Sequence, residues 1–318
     1  MSGRSVDDYE APLFVAWQLT NGCDCACLAC CEGSGVGRHW PDELTRSEAL
    51  DLVRQIVEFG IPYVAFGGGE PLMVPHVWDI LERLAAAGVA IKIETNGHQI
   101  DRAAAARLCA FGVECVQISL DGATAATHER VRPGGDFAKA IAAVEHIVEY
   151  GTAPQWVFAP TRLNIAEIVP AFDLAVRHGC DAFVTGPLMR LGRAAAASDR
   201  LACDEAVWRA AAERLRARAA EAGGATALSI YSWDIVTEVE VRLDSPQAML
   251  LVVPNGRVKL LNALPFAAAD LRRQTLAQAW DAYRAAWRTP EVGEFARRCR
   301  GEPDLLRHAN EVWPLPLR

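Results

Sequence analysis

Residues 13–31 read LFVAWQLTNGCDCACLACC, a short apolar run followed directly by five cysteines within nine positions. An apolar run of this length is typical of a strand that is buried on both faces. The polar N-terminus has no signal-sequence core, so we expect a cytoplasmic protein, in which disulfides are rare and clustered cysteines indicate metal or redox chemistry. The stretch therefore predicts a buried strand that leads into a metal-binding loop.

The alternation of strand and helix patterns continues to about residue 190. Apolar runs predict strands over 13–19, 62–67, 89–94, 114–120, 155–160 and 181–186. Helical patterns between them predict helices over 45–59, 75–87, 100–110, 136–149 and 165–178, and Thr45 with Glu48 fits a capping box at the start of the first. Strands joined by crossover helices run parallel, so the sequence predicts an α/β fold, either a doubly wound sheet or a whole or partial barrel.

Glycines and polar residues gather at the positions where these predicted strands end. Gly67–Gly69 and Glu70 follow the second strand, Thr95 and Asn96 end the third, and Asp121 follows the fourth. In both candidate folds, ligands bind at the carboxyl ends of parallel strands. We therefore expect these residues to share one site with the cysteine loop.

The pattern changes after residue 187. A helical stretch covers 204–222, a hairpin with Asn255-Gly256 at its turn is predicted within 249–261, and a helix is predicted over 274–288. The last helix places Leu276, Trp280, Tyr283 and Trp287 on one face, which is typical of core packing.

Composition excludes some classes of function. The chain has 318 residues, of which 51% are hydrophobic and 23% charged, and its net charge is −8. An acidic globular chain is not expected to bind nucleic acid, because such proteins usually carry a basic footprint. No apolar run is long enough to span a bilayer, so no membrane partner is expected.

The spacing of the cysteines is compatible with two metal centres. Cys23, Cys27 and Cys30 stand at C-x3-C-x2-C, a spacing that can hold a 4Fe–4S cluster by three irons and leave the fourth iron open. Zinc also binds clustered cysteines, although the second C-x2-C of a zinc ribbon is absent from the sequence. Spacing alone favours the cluster and keeps zinc as the alternative. Cys25 and Cys31 are additional, and we expect them to be spectators.

The order of two motifs resembles the radical S-adenosylmethionine (SAM) superfamily: C-x3-C-x2-C after a first strand, then GGGEP (67–71) after a second. The runs IKIETNG (91–97) and VQISLDGATAATHERVR (116–132) are similar to the maturases of pyrroloquinoline quinone and mycofactocin. The resemblance covers about residues 12–190. It implies a partial (β/α)6 TIM-type barrel with a small α+β C-terminal extension.

The resemblance also implies a set of site residues. Cys23, Cys27 and Cys30 would hold one 4Fe–4S cluster, whose open iron takes the amine and carboxylate of SAM. The other implied contacts with SAM are Gly68, Gly69 and Glu70 at the amino group, Ser119 and Asp121 near the ribose and carboxylate, Thr95 and Asn96 at the same mouth, and Leu188 and Met189 near the adenine. No residue is assigned to act on the substrate.

Two positions depart from the family pattern. Ala29 stands where an aromatic residue usually precedes the third cysteine, so we expect the SAM pocket to be rebuilt there. VVPNGRVKLL (252–261) resembles the opening of a SPASM-type domain, but Leu261 takes the place of its first ligating cysteine and only Cys299 remains in that region. We therefore expect a degenerate SPASM-like region with no auxiliary cluster.

The predicted division of the chain is an N-terminal tail (1–12), a radical SAM partial barrel (13–190), and a helical bridge with the degenerate SPASM-like region (191–318). Without an auxiliary cluster to accept a second electron, we expect reactions such as epimerisation, decarboxylation or elimination.

The resemblance implies an enzyme that cleaves SAM reductively to a 5′-deoxyadenosyl radical. The radical would abstract hydrogen from a peptide or small-metabolite substrate, in natural-product or cofactor maturation. The implied partners are a reductant such as flavodoxin or ferredoxin and, because only about a dozen residues precede the first strand, a separate carrier protein for a peptide. A scaffold subunit that has lost catalysis and a zinc-binding structural protein are the alternatives.

Overall fold

The computed structural model describes residues 6–231 and 233–315. Residues 1–5 of the predicted tail, and residues 232 and 316–318 of the predicted C-terminal region, lie outside the described residues. The strands are β1 Phe14–Thr20, β2 Tyr63–Gly68, β3 Ala90–Thr95, β4 Cys115–Ser119, β5 Gln155–Phe158, β6 Ala182–Thr185, β7 Ala227–Ile230, β8 Met249–Val252, β9 Arg257–Lys259, β10 Phe266–Asp270 and β11 Trp313–Pro314.

The helices alternate with the first strands and then form the C-terminal third. They are α1 Arg46–Glu58, α2 Val77–Ala86, α3 Arg102–Ala110, α4 Ala125–Val131, α5 Phe137–Glu149, α6 Ile168–Arg177, α7 Gly192–Ala196, α8 Ser198–Leu201, α9 Glu205–Glu221, α10 Ile235–Asp244, α11 Leu276–Ala286 and α12 Pro290–Gly301. Short 3-10 turns cover Val6–Asp8, Pro71–Met73, Ile165–Glu167 and Pro303–Asn310.

The strands β1 to β6 are parallel neighbours in sequence order, which confirms the predicted α/β fold. Each predicted strand overlaps its observed counterpart, although in Phe14–Thr20 only one face is fully buried and the alternate residues Phe14, Ala16 and Gln18 are half-buried. A further parallel strand, β7, extends the sheet beside β6 with Ala182 opposite Ala227. Sequence patterns missed β7, since four residues without an apolar run carry little strand signal.

Local capping signals position the crossover helices. The Thr45 side chain accepts the backbone N–H of Glu48, and the Glu48 carboxylate accepts the backbone N–H of Thr45, which confirms the predicted capping box at α1. The five predicted helices of the barrel are all present. The short helix α4, which is capped by Thr124, was not predicted, because seven residues are too few to show a clear helical period.

The C-terminal region joins the same sheet on the other side of β1. Strand β8 pairs parallel with β1, with Met249 opposite Phe14, and the antiparallel β8–β9 pair confirms the predicted hairpin. Helix α11 buries Trp280 and Tyr283 as a stacked pair with ring centroids 5.5 Å apart, as the apolar face predicted. Within the described part of the chain, we find no helix with the length and apolar character needed to cross a membrane.

Candidate active site at the carboxyl ends of the strands

A cavity of about 240 Å³ lies where β1 to β6 end. Segments that follow all six strands line it, so the sheet curves around this space as a partial barrel does. The lining includes every site residue expected from the sequence: Cys23, Cys27, Cys30, Gly68, Gly69, Glu70, Thr95, Asn96, Ser119, Asp121, Leu188 and Met189. The fold therefore brings residues of six separate loops into one site.

Residues from the distant C-terminal half hold the cysteine loop in place. The backbone N–H of Arg193 donates to the Cys30 carbonyl at 3.0 Å, and its Nε donates to the Cys27 carbonyl at 2.8 Å. The Asn310 side chain donates to the Cys31 carbonyl at 2.9 Å. Since these donors use the loop's carbonyls, the loop has a defined shape before any ligand binds.

Two of the three expected ligand cysteines have lowered pKa values. A hydrogen bond from the Cys25 thiol, aided by the guanidinium of Arg132, lowers the pKa of Cys27 to about 6 against the opposing effect of burial. The Nη1 atom of Arg132 lies 3.5 Å from the Cys27 sulfur. A hydrogen bond from Cys25 also lowers the pKa of Cys23, whereas burial raises the pKa of Cys30. Thiolates are the metal-binding form of cysteine, so the donor set fits a thiolate-ligated centre.

The two additional cysteines occupy different environments. The Cys25 thiol is 1% exposed, hydrogen-bonds both Cys23 and Cys27, and accepts the Asn96 Nδ2 at 3.5 Å. The Cys31 thiol lies 3.7 Å from a carboxylate oxygen of Glu32. The Cys25 thiol thus lies among the thiols of the expected ligands. Its predicted role as a spectator stays a prediction.

The glycine run packs directly onto the start of the cysteine loop. The backbone N–H of Gly69 donates to the Thr20 carbonyl at 2.7 Å, and that of Glu70 donates to the Gly22 carbonyl at 2.9 Å. A Cβ atom on Gly69 would stand 2.0 Å from the Gly22 oxygen. Gly68 has a φ of 106°, and its Cβ would stand 2.6 Å from the Thr20 oxygen. Only glycine permits this close backbone approach.

Alanine at Gly69 is expected to destabilise the protein much more than alanine at Gly67, although both glycines belong to the same run. Gly69→Ala should lower the free energy of unfolding by at least about 2 kcal/mol, because two backbones must move apart. Gly67→Ala should cost less than about 1 kcal/mol, since its Cβ would meet only the flexible end of Glu94, at 3.3 Å. Urea denaturation followed by circular dichroism measures both, and equal costs would contradict this account of the packing.

Glu70 connects the ends of β2 and β3. Its buried carboxylate accepts the Thr95 hydroxyl at 2.8 Å, the Asn96 backbone N–H at 2.8 Å and the Leu72 backbone N–H at 3.1 Å. Burial raises the pKa of Glu70 to about 7. The Asn96 side chain in turn donates to Asp24 at 2.6 Å, so this network ties the glycine run to the cysteine loop.

Asp121 forms a buried ion pair that the sequence patterns did not reveal. Its Oδ2 lies 2.6 Å from the Nε of Arg132, and its Oδ1 accepts the Ala159 backbone N–H at 2.7 Å. Both side chains of the pair line the cavity, where Arg132 also approaches Cys27. Arg132 ends the run THERVR, but no local spacing relates it to a cysteine 105 positions away.

Polar side chains of β3, β4 and β5 form pairs beside the site. Lys92 and Glu94 form an ion pair at 2.8 Å, and Gln117 donates to Gln155 at 2.8 Å. Glu94 lines the cavity, and so does Tyr231, which follows the unpredicted strand β7. The sequence missed Tyr231, because nothing in its local pattern indicated a strand that would carry it to this site.

Comparisons with known proteins agree with this architecture. The family model described as the Radical SAM superfamily matches residues 17–185. Mycofactocin maturase MftC of Mycobacterium ulcerans is 36% identical over 187 residues, which cover 57% of this chain and 50% of that protein. The AdoMet-dependent heme synthase of Methanosarcina barkeri is 32% identical over 186 residues, which cover 58% of this chain and 53% of that protein. The matching region spans about half the length of these relatives.

Solved structures share the fold at low sequence identity. Streptococcus suis SuiB bound to S-adenosylmethionine has a TM-score of 0.73 and 15% identity, covering 90% of this chain and 68% of that chain. SuiB bound to the precursor peptide SuiA matches with a TM-score of 0.73 and 14% identity, covering 90% and 67%. Native anSMEcpe with bound AdoMet has a TM-score of 0.64 and 17% identity, covering 89% and 82%. At such identities the likeness shows the fold alone.

Proposed function

The chain belongs to the radical SAM superfamily, and on that premise we propose that it is an enzyme that cleaves SAM reductively and abstracts hydrogen from a peptide substrate. Membership implies a 4Fe–4S cluster and SAM as cofactors. We assign the cluster to Cys23, Cys27 and Cys30. When bound, these cofactors supply a 5′-deoxyadenosyl radical that removes a hydrogen atom from the substrate. The observation that carries the proposal is the convergence of these thiols and the glycine run on one cavity.

The cysteine loop and its surroundings fit an anionic inorganic cluster. Two of the thiols have lowered pKa values, and the Arg132 guanidinium lies beside Cys27. Cationic and hydrogen-bonding groups near the sulfurs stabilise their charge and tune the reduction potential. The chain's own part is thus to present three sulfurs in a loop already held by Arg193.

The polar groups of the cavity suit the amino-acid part of SAM. Backbone carbonyls of Gly68 and Gly69 and the carboxylate of Glu70 suit an ammonium group, because each is a hydrogen-bond acceptor. Arg132, which the sequence did not single out, suits the carboxylate, since guanidinium binds carboxylates through two parallel hydrogen bonds. Ser119, Asp121, Thr95 and Asn96 are assigned to the polar wall around these groups and the ribose.

The adenine is assigned to the apolar wall after β6. Leu188 and Met189 line the cavity there, as does Ala29 of the cysteine loop. A small residue at position 29 leaves space that an aromatic ring would fill, and the flexible Met189 side chain is suited to fill an irregular gap.

We assign a single cluster to the protein and no auxiliary cluster. Leu261, at the place of the first auxiliary cysteine, is buried in the main core, and Cys299 is buried on α12. Anaerobically reconstituted protein is therefore expected to contain about four irons and four sulfides per chain. Clearly more than four irons, with the excess retained by a Cys23/Cys27/Cys30 triple alanine variant, would contradict this assignment.

A peptide is the substrate class that we propose. Relatives are named mycofactocin maturases, and SuiB, which shares the fold, has been solved with a precursor peptide. A low-potential reductant such as flavodoxin or ferredoxin would supply the electron. A separate carrier protein for the peptide stays a prediction.

The decisive experiment is anaerobic reconstitution with iron and sulfide, followed by incubation with SAM and dithionite. We expect a brown protein with broad absorption near 400 nm and accumulation of 5′-deoxyadenosine by mass spectrometry. Colourless protein that retains zinc would support the structural zinc alternative. A brown protein that forms no 5′-deoxyadenosine would instead support the scaffold alternative.

A further inference from the structure

A second cavity, of about 610 Å³, adjoins the first one. The two share Pro160, Pro187 and Leu188 as lining residues. The remaining walls of the second cavity come from α9 and the residues just before it, from the start of α10, from Arg190, and from Arg300 near the end of α12 with the segment that follows it. An extended chain bound in the second cavity could therefore continue into the first.

Arginines dominate the charge of this second cavity. Arg190, Arg209, Arg216 and Arg300 line it, against the carboxylates of Glu205 and Asp234. Arg209 is paired with Glu205, and Arg300 with Glu240 outside the cavity wall. The Asp234 carboxylate accepts two backbone N–H groups at the start of α10, both at 2.9 Å.

Two of these guanidinium groups are exposed and have no carboxylate partner among the described residues. Within residues 6–231 and 233–315, neither Arg190 nor Arg216 takes part in an ion pair or a side-chain hydrogen bond. The chain as a whole carries a net charge of −8, so this cavity is a local positive region on an acidic protein. Opposite charge in a concave site attracts and orients an anionic ligand.

Large apolar side chains line both cavities. Tyr231, which is 56% exposed, and Met189, which is 42% exposed, line the first cavity. Trp208 lines the second cavity. Tyrosine, tryptophan and arginine are the residues most enriched at the centres of binding interfaces, and exposed apolar groups near a groove mark ligand-binding surfaces.

We propose that the second cavity binds an acidic segment of the peptide substrate through Arg190 and Arg216, so that a neighbouring residue of the peptide enters the first cavity. Two separate guanidinium groups suit individual carboxylates, each of which can form a two-point hydrogen-bonded pair. A nucleic acid would need many cationic contacts along its backbone, and the surrounding net negative charge opposes it. This inference rests on the proposed function, because it takes the peptide to be the substrate.

The test uses the reconstituted 318-residue chain and a fluorescein-labelled decapeptide of alternating glutamate and alanine. A second decapeptide replaces each glutamate with glutamine. By anaerobic fluorescence anisotropy, we expect the wild type to bind the glutamate peptide about tenfold tighter than the glutamine peptide, which is the effect of about one charge-assisted pair. The Arg190→Gln/Arg216→Gln variant should lose this preference. Arg214→Gln, an exposed arginine of α9 outside the cavity, is the matched control and should keep it.

Several results would overturn the inference: equal binding of the two peptides, an unchanged preference in the double variant, an equal loss in the Arg214→Gln control, or tighter binding of a ten-nucleotide single-stranded DNA. Formation of 5′-deoxyadenosine is measured in the same preparations without peptide, and the Arg214→Gln control should match the wild type. If the wild type forms none while the peptide preference depends on Arg190 and Arg216, the proposed radical chemistry fails but the acidic-peptide site stands. If the chemistry is present and the preference absent, only the site fails.

Discussion

Replacing Cys23, Cys27 or Cys30 with alanine is expected to abolish both the brown chromophore and the formation of 5′-deoxyadenosine. A cubane cluster that leaves one iron open depends on three thiolates, so the loss of any one removes a ligand that nothing replaces. Activity should fall to the background of the reaction without protein. Iron and sulfide analysis, the absorption near 400 nm and mass spectrometry of the nucleoside measure the three effects separately.

Cys25→Ala and Cys31→Ala are the matched controls, because both residues lie in the same loop. We expect both variants to assemble the cluster and cleave SAM. Cys25 is the sharper control, since its buried thiol hydrogen-bonds Cys23 and Cys27. A colourless Cys25→Ala protein beside a brown Cys23→Ala protein would show that Cys25 is a ligand and that the assignment of Cys23 is wrong.

Replacing Arg132 with methionine is expected to lower the free energy of unfolding of the protein by about 3–5 kcal/mol. The change leaves the Asp121 carboxylate buried without its cationic partner, and removing one member of a buried pair typically costs this much. The carboxylate is 1% exposed and lies 2.6 Å from the Arg132 Nε, so in the native protein its charge is compensated by this partner and hardly by water. Urea denaturation of the metal-free protein measures the change.

A double variant and a surface variant test whether burial is the cause. Asp121→Asn/Arg132→Met should be less destabilised than the sum of its two single variants, because it removes the unpaired charge. Arg46→Met breaks an exposed pair with Asp79, at 2.7 Å, and should cost less than about 1 kcal/mol. Additive single effects, or equal costs at Arg132 and Arg46, would refute the importance of the buried pair.

The predictable parts of the fold have strong local signals. The run Phe14–Thr20 buries one face fully and leaves the other half-buried, so most of its positions are apolar, and helix α1 has a regular apolar face. Helix α4 was missed because seven residues are too few to show a helical period, whereas β7, although no shorter than β5 and β6, was missed for want of an apolar run. The exposed and intermediate positions of β7 also lack the apolar run that identified β1 to β6.

Parallel topology made the candidate site predictable as well. Because all parallel strands end at the same edge, residues that follow them must meet, whatever the distance between them along the chain. Cys23, Glu70, Asn96 and Asp121 could thus be assigned to one cavity from their positions alone. Their hydrogen-bond partners could not be assigned, since these depend on side-chain orientation within the loops.

By itself, then, the sequence determined the strand–helix alternation, the edge of the sheet where ligands bind, and the cysteine spacing, because each is encoded by neighbouring residues. The tertiary structure alone decided that Arg132 pairs with Asp121 beside the Cys27 sulfur, that Arg193 holds the loop, and that the second cavity adjoins the first. Such contacts join segments whose approach depends on how whole helices and loops pack, and no pattern of adjacent residues records that packing.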